Sequence, residues 1–275
     1  MRPCRFSLFL LLILLCLPCT AESDLREGPM ELVFFSLGKA DAILLRTDAG
    51  AVMIDAGTEK KAKSLTRQLE SMGIEHLDAL IVTHFDKDHV GGADQILDEL
   101  SVGRVYEPDY SKDSKQVDQY RDSLAASGSE IVTLRDNASF TVDGVTYRID
   151  IANESFYGRD EENDFSLVVR VQYGDVRMLF PGDIENPRIA ELLDEGDLQA
   201  DLLKVPHHGK SEKLSSEFFK AVSPSWAVVT DSDEEPADSE VLKSLEKLGC
   251  KTLSTRSGNV FAVIGRDGIQ VRQDP

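Results

Sequence analysis

The segment Thr83-His84-Phe85-Asp86-Lys87-Asp88-His89 closes an apolar run, and it constrains the fold more than any other stretch of the chain. Histidines and carboxylates packed this tightly have no use in an apolar core, where unpaired polar groups are costly. They suit a divalent ion, which imidazole and carboxylate hold together. The chain has 5 histidines, and two more of them stand side by side at His207-His208. A fold that uses both groups must deliver them from strand ends that share an edge.

The apolar pattern supplies such strands. Short runs at 32–35, 42–45 and 51–54 predict strands, the last ending in Asp55-Ala56-Gly57. Another, at 77–82, delivers the His/Asp cluster. Continuous apolar runs of this length suit strands buried on both faces. Helices are expected over 60–72, with Leu65 and Leu69 on one face, and over 93–100 after Gly91-Gly92. The pattern then predicts a short strand at 104–106, a helix at 113–126 and β structure at 131–134, 140–142 and 146–151. A polar stretch at 154–164 reads as a loop over the site.

The second half repeats this logic. Strands are expected at 166–172 and 176–180, the latter ending in Pro181-Gly182-Asp183, and a helix at 187–194. A strand at 201–205 ends in Pro206-His207-His208-Gly209. A helix at 214–222, a strand at 226–230, a helix at 239–248 and closing strands at 260–264 and 269–272 complete the pattern. Two similar halves, each alternating strands with helices, predict an α/β chain: two facing sheets with helices outside, a four-layer αβ/βα sandwich forming one domain over 30–275.

Four strand ends supply candidate ligands: Asp55; His84, Asp86, Asp88 and His89; Asp183; and His207 or His208. Asp183, a lone acid after Pro-Gly with two free oxygens, is expected to bridge two ions. His84 and Asp86 would hold one ion, and Asp88, His89 and His207 the other. His208 is then left to contact substrate or to protonate a leaving group. Asp88 counts both as ligand and as catalytic carboxylate. Two ions about 3.5–4 Å apart share a hydroxide, lower its pKa and clamp the attacking and leaving oxygens. Lys39, Lys87, Lys204, Lys210 and Lys213 lie on or near these loops, either to draw an anionic substrate inward or as ordinary solvated side chains.

The N-terminus is a separate object. Arg2 and Arg5 precede an apolar run at 6–18, and Cys19-Thr20-Ala21 places small residues where a signal peptidase reads. This predicts a secretory signal over 1–21, a flexible leader over 22–29 and a secreted or extracytoplasmic protein. An uncleaved anchor through 6–18 is the alternative, and the one expected route to a membrane. Cys4, Cys16 and Cys19 fall within the signal, so only Cys250 remains and no internal disulfide is expected. The formal net charge is -19, and removal of the signal takes away two arginines and no acid. So acidic a surface repels polyanions, and no stable nucleic-acid partner is expected. A phosphate substrate stays compatible, because a metal pair reverses the local field.

His84-Phe85-Asp86-Lys87-Asp88-His89 followed by Gly91-Gly92 resembles the metallo-β-lactamase fold. Within it, the chain resembles the soluble hydrolase-like domain of ComEC-type DNA-uptake competence proteins. That branch carries His-x-Asp-x-Asp-His where most of the superfamily has His-x-His-x-Asp-His. The match continues through Ile54-Asp55-Ala56-Gly57, residues 163–169, Gly182-Asp183-Ile184-Glu185 and Leu203-Lys204-Val205-Pro206-His207-His208-Gly209, and covers about 31–268.

The resemblance implies metal-dependent hydrolysis with two divalent ions, zinc or manganese, acting on a small-molecule or nucleic-acid phosphodiester. Asp86 in place of histidine shifts the preference toward harder ions such as manganese. Asp55 would anchor a ligand from behind, and Asn163 stands near where the superfamily has another metal-binding histidine. The family's usual opening, Asp-Val-Gly-Gln-Gly-Asp-Ala, reads Ser36-Leu37-Gly38-Lys39-Ala40-Asp41-Ala42 here. Glu234-Glu235-Pro236 stands in place of Gly-His-Pro, and Lys210 in place of a serine. These departures spare the expected ligands and bear on substrate and rate. A lactonase or amide hydrolase on the same site and a non-catalytic metal-binding module with a decayed site are the alternatives. No stretch after the signal is long enough to span a bilayer, so DNA transport is not implied.

Overall fold

The computed structural model describes residues 28–154, 162–265 and 268–273. The expected signal segment lies outside them, as does the middle of the expected loop at 154–164.

Each apolar run becomes a strand whose alternate side chains serve two different cores. The first six strands are β1 (Met30–Phe34), β2 (Ile43–Arg46), β3 (Ala51–Ile54), β4 (His76–Ile81), β5 (Ser101–Pro108) and β6 (Glu130–Leu134). The second sheet holds β7 (Ala138–Val142), β8 (Val145–Asp150), β9 (Val168–Tyr173), β10 (Val176–Phe180), β11 (Leu202–Lys204), β12 (Trp226–Val229) and β13 (Lys251–Ser254). The last two, β14 (Val260–Gly265) and β15 (Gly268–Gln273), return to the first sheet, whose order is β15-β14-β1-β2-β3-β4-β5-β6.

In β1, Met30, Leu32 and Phe34 join the core between the sheets, while Val33 faces the helices outside. Phe34 stacks on Phe180 of the opposite sheet, with ring centroids 6.1 Å apart. Burying each such side chain stabilises the fold by roughly 1.5–3 kcal/mol.

Three helices cover the first sheet: α1 (Ala62–Ser71), α2 (Ala93–Glu99) and α3 (Lys115–Ser127). Leu65, Leu69, Ile96, Tyr120 and Leu124 are their buried faces. Three more cover the second: α4 (Asn186–Glu195), α5 (Ser215–Val222) and α6 (Ser239–Lys247), through Ile189, Leu192, Phe218, Phe219, Val241 and Leu245. The layers are therefore helix, sheet, sheet, helix, the expected αβ/βα sandwich. Local signals set the helix ends. The Ser114 hydroxyl accepts from the Val117 N–H at 3.3 Å to open α3, and Gly128 closes it in the left-handed conformation at φ 76°.

The structure departs from the expected halves at three places. The short strand expected at 104–106 is eight residues long and pairs in parallel with β4 and β6. The β13 strand had no signal, because Lys251-Thr252-Leu253-Ser254 is mostly polar, yet it pairs in parallel with β12. The two C-terminal strands do not complete the second half. β14 pairs antiparallel with β1, from Met30 opposite Ile264 to Phe34 opposite Val260. This covers an edge that β1 would otherwise leave open.

The sandwich places chemistry through its parallel pairings. β3 runs parallel to β4 in the first sheet, and β10, β11 and β12 run parallel in the second. Their C-terminal ends open on one rim, where loops converge. No helix among the described residues is long and apolar enough to cross a membrane.

Candidate metal centre

Five loops meet at that rim. Asp55 follows β3, the His84–His89 cluster follows β4, Asp183 follows β10, His207 and His208 follow β11, and Thr230 follows β12. Glycines let the loops come this close. Gly182 has φ 64°, and a Cβ there would lie 2.8 Å from the Ser166 Cβ. A Cβ on Gly91 would lie 2.1 Å from the Lys87 carbonyl oxygen. Three consecutive residues, His207 at φ 47°, His208 at φ 53° and Gly209 at φ 85°, are left-handed. Two strained non-glycine residues in a row cost of order 1–3 kcal/mol each, and such strain persists where a site uses it.

The hydrogen bonds behind the pocket fix which nitrogen of each imidazole faces inward. Asp55, itself at φ 57°, accepts the Thr83 N–H at 2.7 Å and the Thr83 hydroxyl at 2.7 Å. Its Oδ2 also accepts from His89 Nδ1 at 2.8 Å. Thr83 has one hydroxyl proton and gives it to Asp55, so its oxygen accepts from His84 Nδ1 at 3.0 Å. His208 Nδ1 meets the Thr230 carbonyl at 3.0 Å, and a carbonyl only accepts. In all three rings Nδ1 is thus the donor and Nε2 points into the pocket, as in a ligand imidazole held from behind.

The inward atoms converge. Asp183 Oδ2 lies 3.3 Å from His89 Nε2 and 3.1 Å from His208 Nε2. Asp88 Oδ2 lies 3.5 Å from His208 Nε2, and the two Nε2 atoms of His89 and His208 are 3.2 Å apart. His84 Nε2 is buried with no hydrogen-bond partner, 4.0 Å from Asp86 Oδ2. Donor atoms of Asp88, His89 and His208 form one compact set, and those of His84, His89 and Asp183 form another.

The electrostatics follow from burial and from these neighbours. Burial disfavours charge on His89, but Asp183 and Asp55 outweigh it and hold its pKa well above the usual value. Burial likewise opposes charge on His208, and Asp183 reverses the balance. Burial is also the largest influence on Asp183, yet His208, His89 and Lys204 together hold its carboxyl well below the usual range. His84 is pulled down to about 3 by burial and by the charge on His89. It stands neutral at pH 7 with a bare nitrogen in the pocket. Two imidazole nitrogens facing each other beside two carboxylate oxygens call for a positive charge between them. The donor set therefore fits divalent ions.

Of the expected ligands, His84, Asp88, His89 and Asp183 fall in these compact sets, Asp86 stands beside His84, and the two adjacent histidines are placed unequally, His207 grouping with Glu185 and Glu212. His208 has its Nε2 among Asp88, His89 and Asp183. His207 Nε2 lies 3.9 Å from Asp183 Oδ2, while its Nδ1 turns to Glu185 Oε1 at 3.2 Å, off the line of a hydrogen bond. Burial pulls the His207 pKa down to about 4. Asn163 donates its amide N–H to Glu185 Oε1 at 3.3 Å. Lys204, grouped in the sequence with lysines free to meet an anion, is completely buried. Its ammonium lies 2.5 Å from Asp41 Oδ2 and donates to Asp183 Oδ1 at 3.1 Å.

Sequence reasoning gave no role to Asp41, Thr230 or Lys112. Asp41 is buried and accepts the Thr230 hydroxyl at 2.6 Å. Its signals were a lone acid directly before an apolar run and its place in the family's opening motif. Asp231 is also buried and holds the Ala237 N–H at 2.8 Å.

Facing sheets between helices, with a His/Asp pocket where strand ends meet, define a metallo-hydrolase fold with candidate metal-binding groups. The family profile of the metallo-beta-lactamase superfamily matches residues 36–229, and the chain belongs to that superfamily. Among curated proteins it is 25% identical over 246 residues to ComE operon protein 3 of Bacillus subtilis, covering 82% of this chain and 30% of the relative. It is 25% identical over 257 residues to competence protein ComA of Neisseria gonorrhoeae, covering 90% of this chain and 34% of the relative. The chain thus spans about a third of the length of these relatives. Among solved structures it is similar to Igni18, a metallo hydrolase from Ignicoccus hospitalis, at TM-score 0.57 and 16% identity, covering 90% of this chain and all of the other. It is also similar to the metallo-beta-lactamase fold protein YhfI from Bacillus subtilis, at TM-score 0.56 and 12% identity, with the same coverage.

Proposed function

We propose that this chain is an exported metal-dependent hydrolase acting on phosphodiesters. The observation that carries the reading is the convergence of His89 Nε2, His208 Nε2 and the Oδ2 atoms of Asp88 and Asp183, with contacts of 3.1–3.5 Å among them. These four would hold one divalent ion. His84 and Asp86, with Asp183 shared, would hold a second. Asp86 in place of an imidazole favours harder ions such as manganese over zinc. When bound, such ions supply Lewis acidity and a water whose pKa falls toward neutrality.

The protein's own residues do the rest. Asp55 and Thr230 fix the ring orientations, and Lys204 fixes Asp183. His208 takes the ligand position first given to His207. His207, less deeply buried, presents a neutral ring to an entering substrate oxygen. The acidic surface favours short substrates over long nucleic acid. The apolar run at 6–18 and the small residues after it support export.

The test is hydrolysis of bis-p-nitrophenyl phosphate, a short DNA oligonucleotide and a lactone by purified protein reloaded with manganese or zinc. Metal-dependent cleavage of a phosphodiester supports the reading. Cleavage of the lactone alone moves the substrate class to carbonyl esters. Normal metal binding with no hydrolysis would leave a binding module.

A further inference from the structure

The carboxylates particular to each half of the pocket are paired differently, while Asp183 and the Lys204 behind it are common to both. Among the described residues no lysine or arginine pairs with Asp88, whose partner is His208. Asp86 differs. Lys112 Nζ lies 2.5 Å from Asp86 Oδ1 and also pairs with Glu162.

Lys112 is held in place. It lies on the loop between β5 and α3, and its side chain is 23% exposed. Two residues earlier, the Tyr110 hydroxyl accepts from the Phe85 N–H at 2.7 Å. The Tyr110 ring packs on Phe85 at 4.9 Å and on Phe165 at 5.4 Å. The loop is thereby pinned to the metal motif on one side and to the segment bearing Glu162 on the other. Asn163 is turned to Glu185 through its amide nitrogen. What remains is the bare His84 Nε2 and a carboxylate that already has an ammonium against it.

We propose that Lys112 is a resident monocation in the His84–Asp86 half of the pocket. One divalent ion then binds firmly at Asp88, His89, His208 and Asp183, and a second enters only in competition with the lysine. The proposal rests on the metal-site reading above. Lys112 engages Asp86 through Oδ1 and leaves Oδ2, the oxygen facing His84, free. The ammonium therefore weakens the second ion by like-charge repulsion without blocking its ligands. Glu162 gives the ammonium a partner to keep when that ion arrives. Occupancy of this half follows the free metal concentration, so the protein changes from one ion to two as the metal level rises.

Calorimetric titration of metal-free protein with manganese, with metal content measured after dialysis, tests this without reference to activity. The wild type is expected to retain one ion and to bind a second at least tenfold more weakly. Lys112→Met should tighten the second ion at least tenfold and leave the first unchanged. Lys112→Arg, which keeps the charge, should reproduce the wild-type pattern and so exclude a loop-folding artefact. Two equal ions in the wild type, or a second ion no tighter in Lys112→Met, overturns the proposal while leaving the metal-site reading intact. A wild type that binds no divalent ion overturns both.

Discussion

Lys204 donates to Asp183 Oδ1 at 3.1 Å, and the same ammonium lies 2.5 Å from Asp41 Oδ2. One oxygen of Asp183 is thereby clamped from behind, and only Oδ2 is turned toward His89 and His208. The clamped carboxylate presents a single atom to the pocket. Burial opposes the charge on Lys204, but Asp41 and Asp183 outweigh it and raise its pKa.

Removing this charge leaves two buried carboxylates without their shared cation. Breaking a buried ion pair from one side costs about 3–5 kcal/mol. Lys204→Met is therefore expected to lose that much stability in urea unfolding of the metal-free protein. A loss smaller than that of an ordinary hydrogen bond, about 1 kcal/mol, would mean that the clamp is not structural.

Asp55 is expected to act on metal affinity through His89. Its Oδ2 holds the ring's Nδ1 proton at 2.8 Å and so turns Nε2 toward the pocket. Asp55→Asn weakens that acceptor and the basicity it lends to the ring. Outer partners of ligand histidines typically contribute 10–100-fold in affinity, and a drop of about that size is expected in a competition assay with a fluorescent chelator. Unchanged affinity with an intact fold would show that Asp55 only braces Thr83.

The adjacent histidines are separable by metal content. His208→Ala removes an inward nitrogen 3.1 Å from Asp183 Oδ2 and should cost the protein one retained ion. His207→Ala, whose nearer nitrogen faces Glu185 at 3.2 Å, should retain its metal and lose turnover instead. The opposite result, with His207→Ala losing the ion, would restore the order first expected from sequence.

The legible part of the fold was the part written in continuous apolar runs. Strand β3 falls on the expected residues, and β4 delivers the His84–His89 cluster to the rim. The strand β13 was invisible, because its pairing with β12 is made by the backbone and its side chains are mostly polar. The ligand types were legible for a similar reason: imidazoles and carboxylates at strand ends announce their chemistry. What could not be read was direction. His207 and His208 differ only in which way a left-handed turn aims each ring, and three positive φ angles in succession decide that. Lys204 and Lys112 look alike in sequence, yet one lies at the end of β11 in the core and the other on a rim loop.

Asp164 is a further group that the fold places under tension. It accepts the Glu185 N–H at 2.8 Å and the Arg188 N–H at 3.4 Å at the start of α4, and it is almost wholly buried. Burial raises its pKa to about 6, and the two backbone donors only partly oppose this. The folded state therefore favours the protonated form. The stabilisation tied to that proton is complete below pH 3.8, the ordinary value, and is lost as pH rises through about 6. Asp164→Asn keeps an acceptor oxygen for both backbone donors and has no charge to bury. The variant is expected to exceed the wild type in stability by about 1–2 kcal/mol at pH 8, with the gap closing by pH 4. Urea unfolding of both proteins at the two pH values measures this directly. A gap that is absent at pH 8, or equal at both, would show that the carboxylate is stabilised by the helix start more than burial disfavours it.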